Sequence, residues 1–382
     1  FSVSWSRVLP SGRGAANPRG LAFYDRLTDR LLAAGIQPLV TLYHWDLPAA
    51  LDDAGGWTNP DIAGWFAEYA RVMVRALGDR VAMWTTLNEP WVVVDGGYVH
   101  GTLAPGHRNL DQAARAAHQL LRAHGAGMQA IRAEGGARAG LVVNLEPKYP
   151  ASLAPEDLAA SRRADAYFNR QFLDPVLLGS YPEELAAVYG RPIDVAPGDM
   201  ELIRQPLDFL GVNYYTRIYV RSMPFFPLGA MPCYGELERA LGPKLFRMLG
   251  GRRGGRALTD MGWEVVPEGL TRRPSGSSRS TQAELGYANT VPATIRPLAL
   301  SASAWADKRW ASWNARSQRI SPAESSRATQ TRKRPSRPVR AKPPSAVSIS
   351  ATQFSCGPPS SGLRGLELHS SCPEESSLKR CR

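Results

Sequence analysis

Val81-Ala82-Met83-Trp84-Thr85-Thr86-Leu87-Asn88-Glu89-Pro90 is the stretch whose reading decides the fold. Apolar and β-branched residues carry it to Leu87, as in a strand buried on both faces, and it then ends on two polar side chains and a proline. Working outward, similar short runs occur at 1–5, 37–43, 140–145 and 208–215, with 82–89 as the third of five. Longer amphipathic segments separate them, which is the pattern of β/α units around a parallel sheet. The fold expected is an α/β (β/α)8 TIM barrel that is incomplete, with about five of its eight units visible.

The separating segments read as helices. Leu21, Tyr24, Leu27, Leu31 and Leu32 recur at helical spacing, Gly35 stands as a C-cap, and Pro38 opens the next strand. Asn59-Pro60-Asp61 caps a second helix that buries Trp65, Phe66, Tyr69, Val72 and Met73 and stops near Gly78. Two more are expected over 110–133 and 155–178. The segments that follow the strands differ in kind: Tyr43-His44-Trp45-Asp46, Asn88-Glu89-Pro90-Trp91 and Asn213-Tyr214-Tyr215-Thr216 are polar and aromatic. In a parallel barrel they gather at the C-terminal face, where catalytic groups from several strand ends meet.

Composition divides the 382 residues in two. From Thr271 onward Lys and Arg outnumber Asp and Glu by 19 to 6, so the overall charge of +12 leaves −1 for residues 1–270. The segment 271–382 is rich in Ser, Arg, Pro and Ala, has no sustained periodicity, and is expected to be a low-complexity basic tail without a packed core. A natural basic arm and an out-of-frame translation of a GC-rich gene both yield such a composition. The abrupt change, where a barrel still needs strands, favours the second. The tail lacks interleaved aromatics or a recognisable module, so no nucleic-acid partner is expected. Cys233, Cys356, Cys372 and Cys381 form no disulfide framework or metal spacing, and neither a metal nor a cofactor is expected. No apolar run approaches a membrane span. Phe1 is not an initiator methionine, so a signal peptide would lie upstream, and the lack of cysteine pairs points to the cytoplasm.

Glu89 is the strongest chemical candidate, because Asn88, Trp84 and Trp91 around a strand end would desolvate its carboxyl and raise its pKa toward that of a proton donor. It does not stand alone. Phe1-Ser2-Val3-Ser4-Trp5-Ser6-Arg7, Tyr43-His44-Trp45-Asp46-Leu47-Pro48, Gly55-Gly56-Trp57, Thr86-Leu87-Asn88-Glu89-Pro90, His100-Gly101 with Ala104-Pro105-Gly106, and Gly211-Val212-Asn213-Tyr214-Tyr215-Thr216 follow one another in order. Together with Asp260-Met261-Gly262-Trp263-Glu264-Val265-Val266-Pro267-Glu268-Gly269-Leu270 they resemble the bacterial β-glucosidases of glycoside hydrolase family 1 over nearly all of residues 1–270.

The resemblance implies a retaining β-glucosidase acting on a small β-glucoside or short oligosaccharide through two carboxyl groups about 5 Å apart. It implies that Glu89 is the general acid/base, that Asn88 bonds the sugar 2-hydroxyl, and that His44 and Trp45 form the sugar-binding wall. Arg7 would keep the nucleophile ionised, Tyr215 would touch that nucleophile, and Asn213 would line the pocket, with Asn144 and Tyr214 toward the leaving group. The family's first strand, with a sugar-binding Gln, is expected upstream of Phe1. Its nucleophile, in a Thr-Glu-Asn-Gly motif, should follow Leu270 by a few tens of residues, yet that tetrapeptide occurs nowhere in the sequence, and the later Glu-Trp region is missing too. The chain is therefore expected to carry the acid/base without the nucleophile and to be inactive as written. Within the family, 6-phospho-β-glucosidase, β-galactosidase and β-fucosidase stay open. A non-catalytic sugar-binding remnant and a basic-tail nucleic-acid binder are the readings from other classes.

Overall fold

The computed structural model describes residues 1–135, 138–225, 227–233, 259 and 263–270. The segment 271–382, and with it the expected basic tail, lies outside the described residues. Four strands, β1 (Leu39–Tyr43), β2 (Met83–Asn88), β3 (Arg138–Leu145) and β5 (Phe209–Tyr214), form one parallel sheet in the order β1-β2-β3-β5. β4 (Lys148–Pro150) lies between β3 and β5 in the chain but in a second sheet. Ser2 extends the first sheet beyond β1 through a bridge to Thr41, with Val3 N–H donating to Thr41 O (2.9 Å) and Thr41 N–H to Phe1 O (3.0 Å). Four of the five expected strands are thus found at their expected places in one parallel sheet, and the fifth, over 1–5, is reduced to the single bridge at Ser2.

The first is shorter than the run 1–5 suggested. Ser4 N–H donates to the Tyr24 hydroxyl (2.8 Å) instead of continuing the ladder, and the chain turns into the helix Trp5–Val8. The turn places the Trp5 ring flat against Tyr69, 4.9 Å between centroids, with its Nε1–H on Gly12 O (2.9 Å). Trp5, Phe66 and Tyr69 are all fully buried, and each contributes roughly 2–3 kcal/mol by leaving water. The Tyr69 hydroxyl donates to Leu42 O of β1 (2.9 Å), so the polar end of this cluster is also satisfied.

The helices begin where their caps place them. Asn17 Oδ1 accepts from Arg19 N–H (3.1 Å) ahead of the helix Pro18–Ala33, which ends at Gly35 in left-handed backbone. Asn109 Oδ1 accepts from Gln112 N–H (3.0 Å) and opens Leu110–Ala133. At Ile62–Leu77 the capping differs from expectation: Asp61 makes no side-chain cap, and Asn59 Oδ1 instead holds the Asp61 N–H (2.8 Å) one turn earlier. The long helix expected over 155–178 divides into Pro155–Asp165 and Gln171–Leu177, joined by a wide turn over Ala166–Arg170. The Asn169 amide in that turn bonds both backbone groups of Glu146, at 3.1 and 3.0 Å, and this tie to the loop after β3 accompanies the departure from α-helical spacing.

A second sheet was not foreseen. β4, β6 (Ile218–Ser222) and β7 (Ala230–Cys233) pair in the order β4-β6-β7 beside the C-terminal ends of β3 and β5. Asp157, in the helix Pro155–Asp165, accepts Ser222 N–H (2.7 Å) and anchors that sheet to the helix. Among the described residues no helix is long and apolar enough to cross a membrane.

Candidate active site

β2 delivers Glu89 to the C-terminal end of the sheet, and the chain there is strained. Glu89 has φ 45° and Trp45, at the end of β1, has φ 83°; these are two of the three non-glycine residues with positive φ among the described residues. Such conformations cost about 1–3 kcal/mol each and persist where the surroundings hold them. Glu89 N–H donates to Val142 O of β3 (2.9 Å), and Pro90 immediately starts the short helix Pro90–Val94.

Glu89 is buried, 5% exposed. Burial pushes its carboxyl above the ordinary range, against hydrogen bonds that pull the other way: Asn213 Nδ2 and the Tyr215 hydroxyl both donate to Oε1, at 2.7 and 3.2 Å. Asn213 Nδ2 also reaches Asn88 Oδ1 (3.1 Å), and the Asn88 amide turns its Nδ2 toward His44 Nε2 (3.4 Å). Trp45 Nε1–H donates to Asn88 O (2.9 Å), while the His44 and Trp45 rings lie 4.8 Å apart. His44 opens to solvent on one side, but its enclosed side lowers the imidazole pKa, which suits a neutral ring accepting from Asn88. Tyr215 is 48% exposed, its hydroxyl pushed up to about 12 by burial and by the Glu89 charge.

Of the nine residues singled out from the sequence, six therefore meet in one network: His44, Trp45, Asn88, Glu89, Asn213 and Tyr215. Arg7 is exposed, with its guanidinium over the Phe23 ring at 4.7 Å. Its charge is felt by Asp46, whose carboxyl is raised by burial and drawn back by Ser4, His44 and Arg7. Asn144 is buried in β3 opposite Asn213. Tyr214 points elsewhere, its hydroxyl donating to Val266 O (2.6 Å).

Three neighbours were not singled out from the sequence. Trp263 stands 5.6 Å from the Tyr215 ring, and Phe168 lies 4.1 Å from Trp91 with Lys148 Nζ 3.8 Å above it. Trp263 sits in a quoted motif, so a signal existed; Phe168 and Lys148 are brought in by the wide turn and by β4, which carry no pattern of their own. Among the described residues no group of three or more His, Cys, Asp or Glu is arranged to hold a metal.

The sequence pattern of "Glycosyl hydrolase family 1" matches residues 1–273. Beta-glucosidase A of Thermotoga maritima is 43% identical over 274 residues, which cover 71% of this chain and 57% of that protein. A bifunctional beta-D-glucosidase/beta-D-fucosidase of Bifidobacterium breve is 41% identical over 279 residues, 71% of this chain and 58% of its own. The structure of the Thermotoga maritima beta-glucosidase in complex with deoxynojirimycin superposes with a TM-score of 0.62 at 41% identity, covering 71% of this chain and 57% of the other. The chain thus spans somewhat more than half the length of these relatives, and its parallel array is part of their TIM barrel.

Proposed function

As the chain belongs to glycosyl hydrolase family 1, we propose that residues 1–270 are the acid/base half of a retaining β-glucosidase, with Glu89 as the general acid and base. The observation that carries this reading is the buried Glu89 carboxyl, raised by desolvation at the strand end and held by Asn213 and Tyr215. A proton donor at neutral pH needs such an environment. In the first step Glu89 protonates the glycosidic oxygen while a second carboxylate attacks the anomeric carbon, and the leaving alcohol departs with the proton. In the second step ionised Glu89 takes a proton from water, whose oxygen displaces the enzyme carboxylate from the sugar.

The other residues take parts that follow from their chemistry. Asn88, fixed between His44 and Asn213, presents its amide to a sugar hydroxyl. His44 and Trp45 offer a polar edge and an aromatic face to the ring. Asn213 and Tyr215 stabilise Glu89 once it has ionised, which favours proton release. The attacking carboxylate belongs to the part of the family fold beyond residues 1–270. Arg7 contributes its positive charge, which lowers the Asp46 carboxyl pKa.

The test is a chimera in which residues 1–270 are joined to the remaining part of Thermotoga maritima beta-glucosidase A. Glu89→Gln should slow cleavage of alkyl glucosides by about 10²–10⁴-fold, the range of general-acid catalysis. A dinitrophenyl glucoside, whose leaving group needs no proton, should lose far less in the glycosylation step. Equal losses for both substrates would overturn the assignment.

A further inference from the structure

β2 keeps regular register with β1 through Thr41↔Thr85 and Tyr43↔Leu87, but not with β3. There Thr85 pairs with Gly140 and Asn88 with Val142, so two residues of β2, Thr86 and Leu87, stand against one of β3, Leu141. An extra residue on one strand bends it and re-aims the side chains that follow. The side chains that follow are Asn88 and Glu89.

Thr86 is fully buried and tied on both sides of this bulge. Its Oγ1 lies 2.7 Å from His124 Nδ1 of the helix Leu110–Ala133 and 3.3 Å from Gly140 O of β3. One hydroxyl proton serves only one of them. If it went to His124, the imidazole proton would sit on Nε2, which is buried and has no hydrogen-bond partner. An unpaired buried N–H is the costlier outcome, so the satisfied arrangement runs His124 Nδ1–H to Thr86 Oγ1, and Thr86 O–H to Gly140 O. Only a neutral ring leaves Nε2 bare, and burial lowers the His124 pKa to about 3. The helix comes close enough for this contact because Gly127, one turn on, has no side chain: a Cβ there would stand 2.7 Å from the Phe66 ring and 3.4 Å from Thr86 Cγ2.

We propose that His124 and Thr86 are positioning residues that hold the β2 bulge and thereby set the direction in which Asn88 and Glu89 face the substrate. Neither touches the sugar site; they act on it through the backbone. The inference rests on the reading of Glu89 as the acid/base, but the bulge can be measured without it.

The experiment compares the full chain with Thr86→Val, Thr86→Ser, His124→Leu and, as a control of ordinary core loosening, Val74→Ala. Two quantities are read by NMR: hydrogen exchange of the Glu89 amide, which bonds Val142 O, and titration of the Glu89 carboxyl. Thr86→Val keeps the shape and removes the hydroxyl. It should speed Glu89 amide exchange by about tenfold or more, as local opening does, and shift the carboxyl titration. Thr86→Ser should preserve both values, and Val74→Ala should leave both near those of the unaltered chain while lowering Tm. If folded Thr86→Val exchanges and titrates like the unaltered chain, or if Val74→Ala accelerates the Glu89 amide equally, the proposal falls. The threonine pair decides the matter even if His124→Leu does not fold. Amide exchange is indifferent to whether Glu89 donates a proton, whereas the leaving-group comparison tests that role and not the bulge.

Discussion

A carboxyl group becomes a proton donor through a balance of opposing effects, and Glu89 is where that balance is visible. Desolvation raises its pKa, while the Asn213 and Tyr215 donors favour the ionised form and lower it. Removing a donor therefore moves the pKa further up. Asn213→Ala should have the larger effect, since its contact is 2.7 Å against 3.2 Å for the Tyr215 hydroxyl, and Tyr215→Phe the smaller. Titration of ¹³C-labelled glutamate in the chain checks both the sign and the order; a downward shift in either variant would contradict the account. A raised pKa also means that the folded state binds a proton more readily than the unfolded state. The associated stability is present below about pH 4.3, the ordinary glutamate value, and is lost as pH rises through the folded pKa. Glu89 itself was legible because an Asn-Glu-Pro closes a buried apolar run. Arg7 was placed by resemblance alone, and whether a charge touches a site depends on contacts that no spacing encodes: here its guanidinium rests on Phe23.

At the scale of elements, local chemistry and packing make separable demands, and Gly127 sets them against each other. In an isolated helix Gly→Ala gains about 1 kcal/mol. In Leu110–Ala133 the added methyl would meet the buried Phe66 ring at 2.7 Å, where the core has no room to yield. Overpacking of this kind costs typically 1–3 kcal/mol. Gly127→Ala should therefore lower the Tm despite its higher helix propensity, and a rise in Tm on thermal denaturation would show that the helix can move off β2. The helices Pro18–Ala33 and Leu110–Ala133 were legible from the helical spacing of their apolar residues, whereas the caps Asn17 and Asn109 at their N-termini were shown by the structure. The division of the segment over 155–178 was not, since the Asn169 amide that accompanies it reaches 23 residues back to Glu146. The sheet β4-β6-β7 was missed for a similar reason, as β4 has only three residues and its partners lie about 70 positions away.

For the whole molecule, the reaction proposed needs two carboxyl groups, and on the reading proposed above residues 1–270 supply one of them, Glu89. The purified chain should hydrolyse aryl β-glucosides no faster than its Glu89→Gln variant, because proton donation without a nucleophile leaves the covalent route closed. Steady-state assay of the two proteins side by side is the check, and turnover well above the variant would mean that another carboxylate serves.

Sequence by itself determined the class of fold, the positions of the four strands of the parallel sheet and the identity of the residues around Glu89. Burial on both faces writes parallel strands as apolar runs, and the polar residues that interrupt those runs mark the strand ends. Tertiary structure alone decided how those residues act on one another. The hydrogen bond from Asn213 to Glu89 spans 124 positions, and the bulge that turns Glu89 inward exists only because β2 pairs with β1 and β3 in different registers. Periodicity records which face of a strand is buried. It does not record the register between strands, which is settled by the simultaneous packing of helix, strand and neighbour against each other.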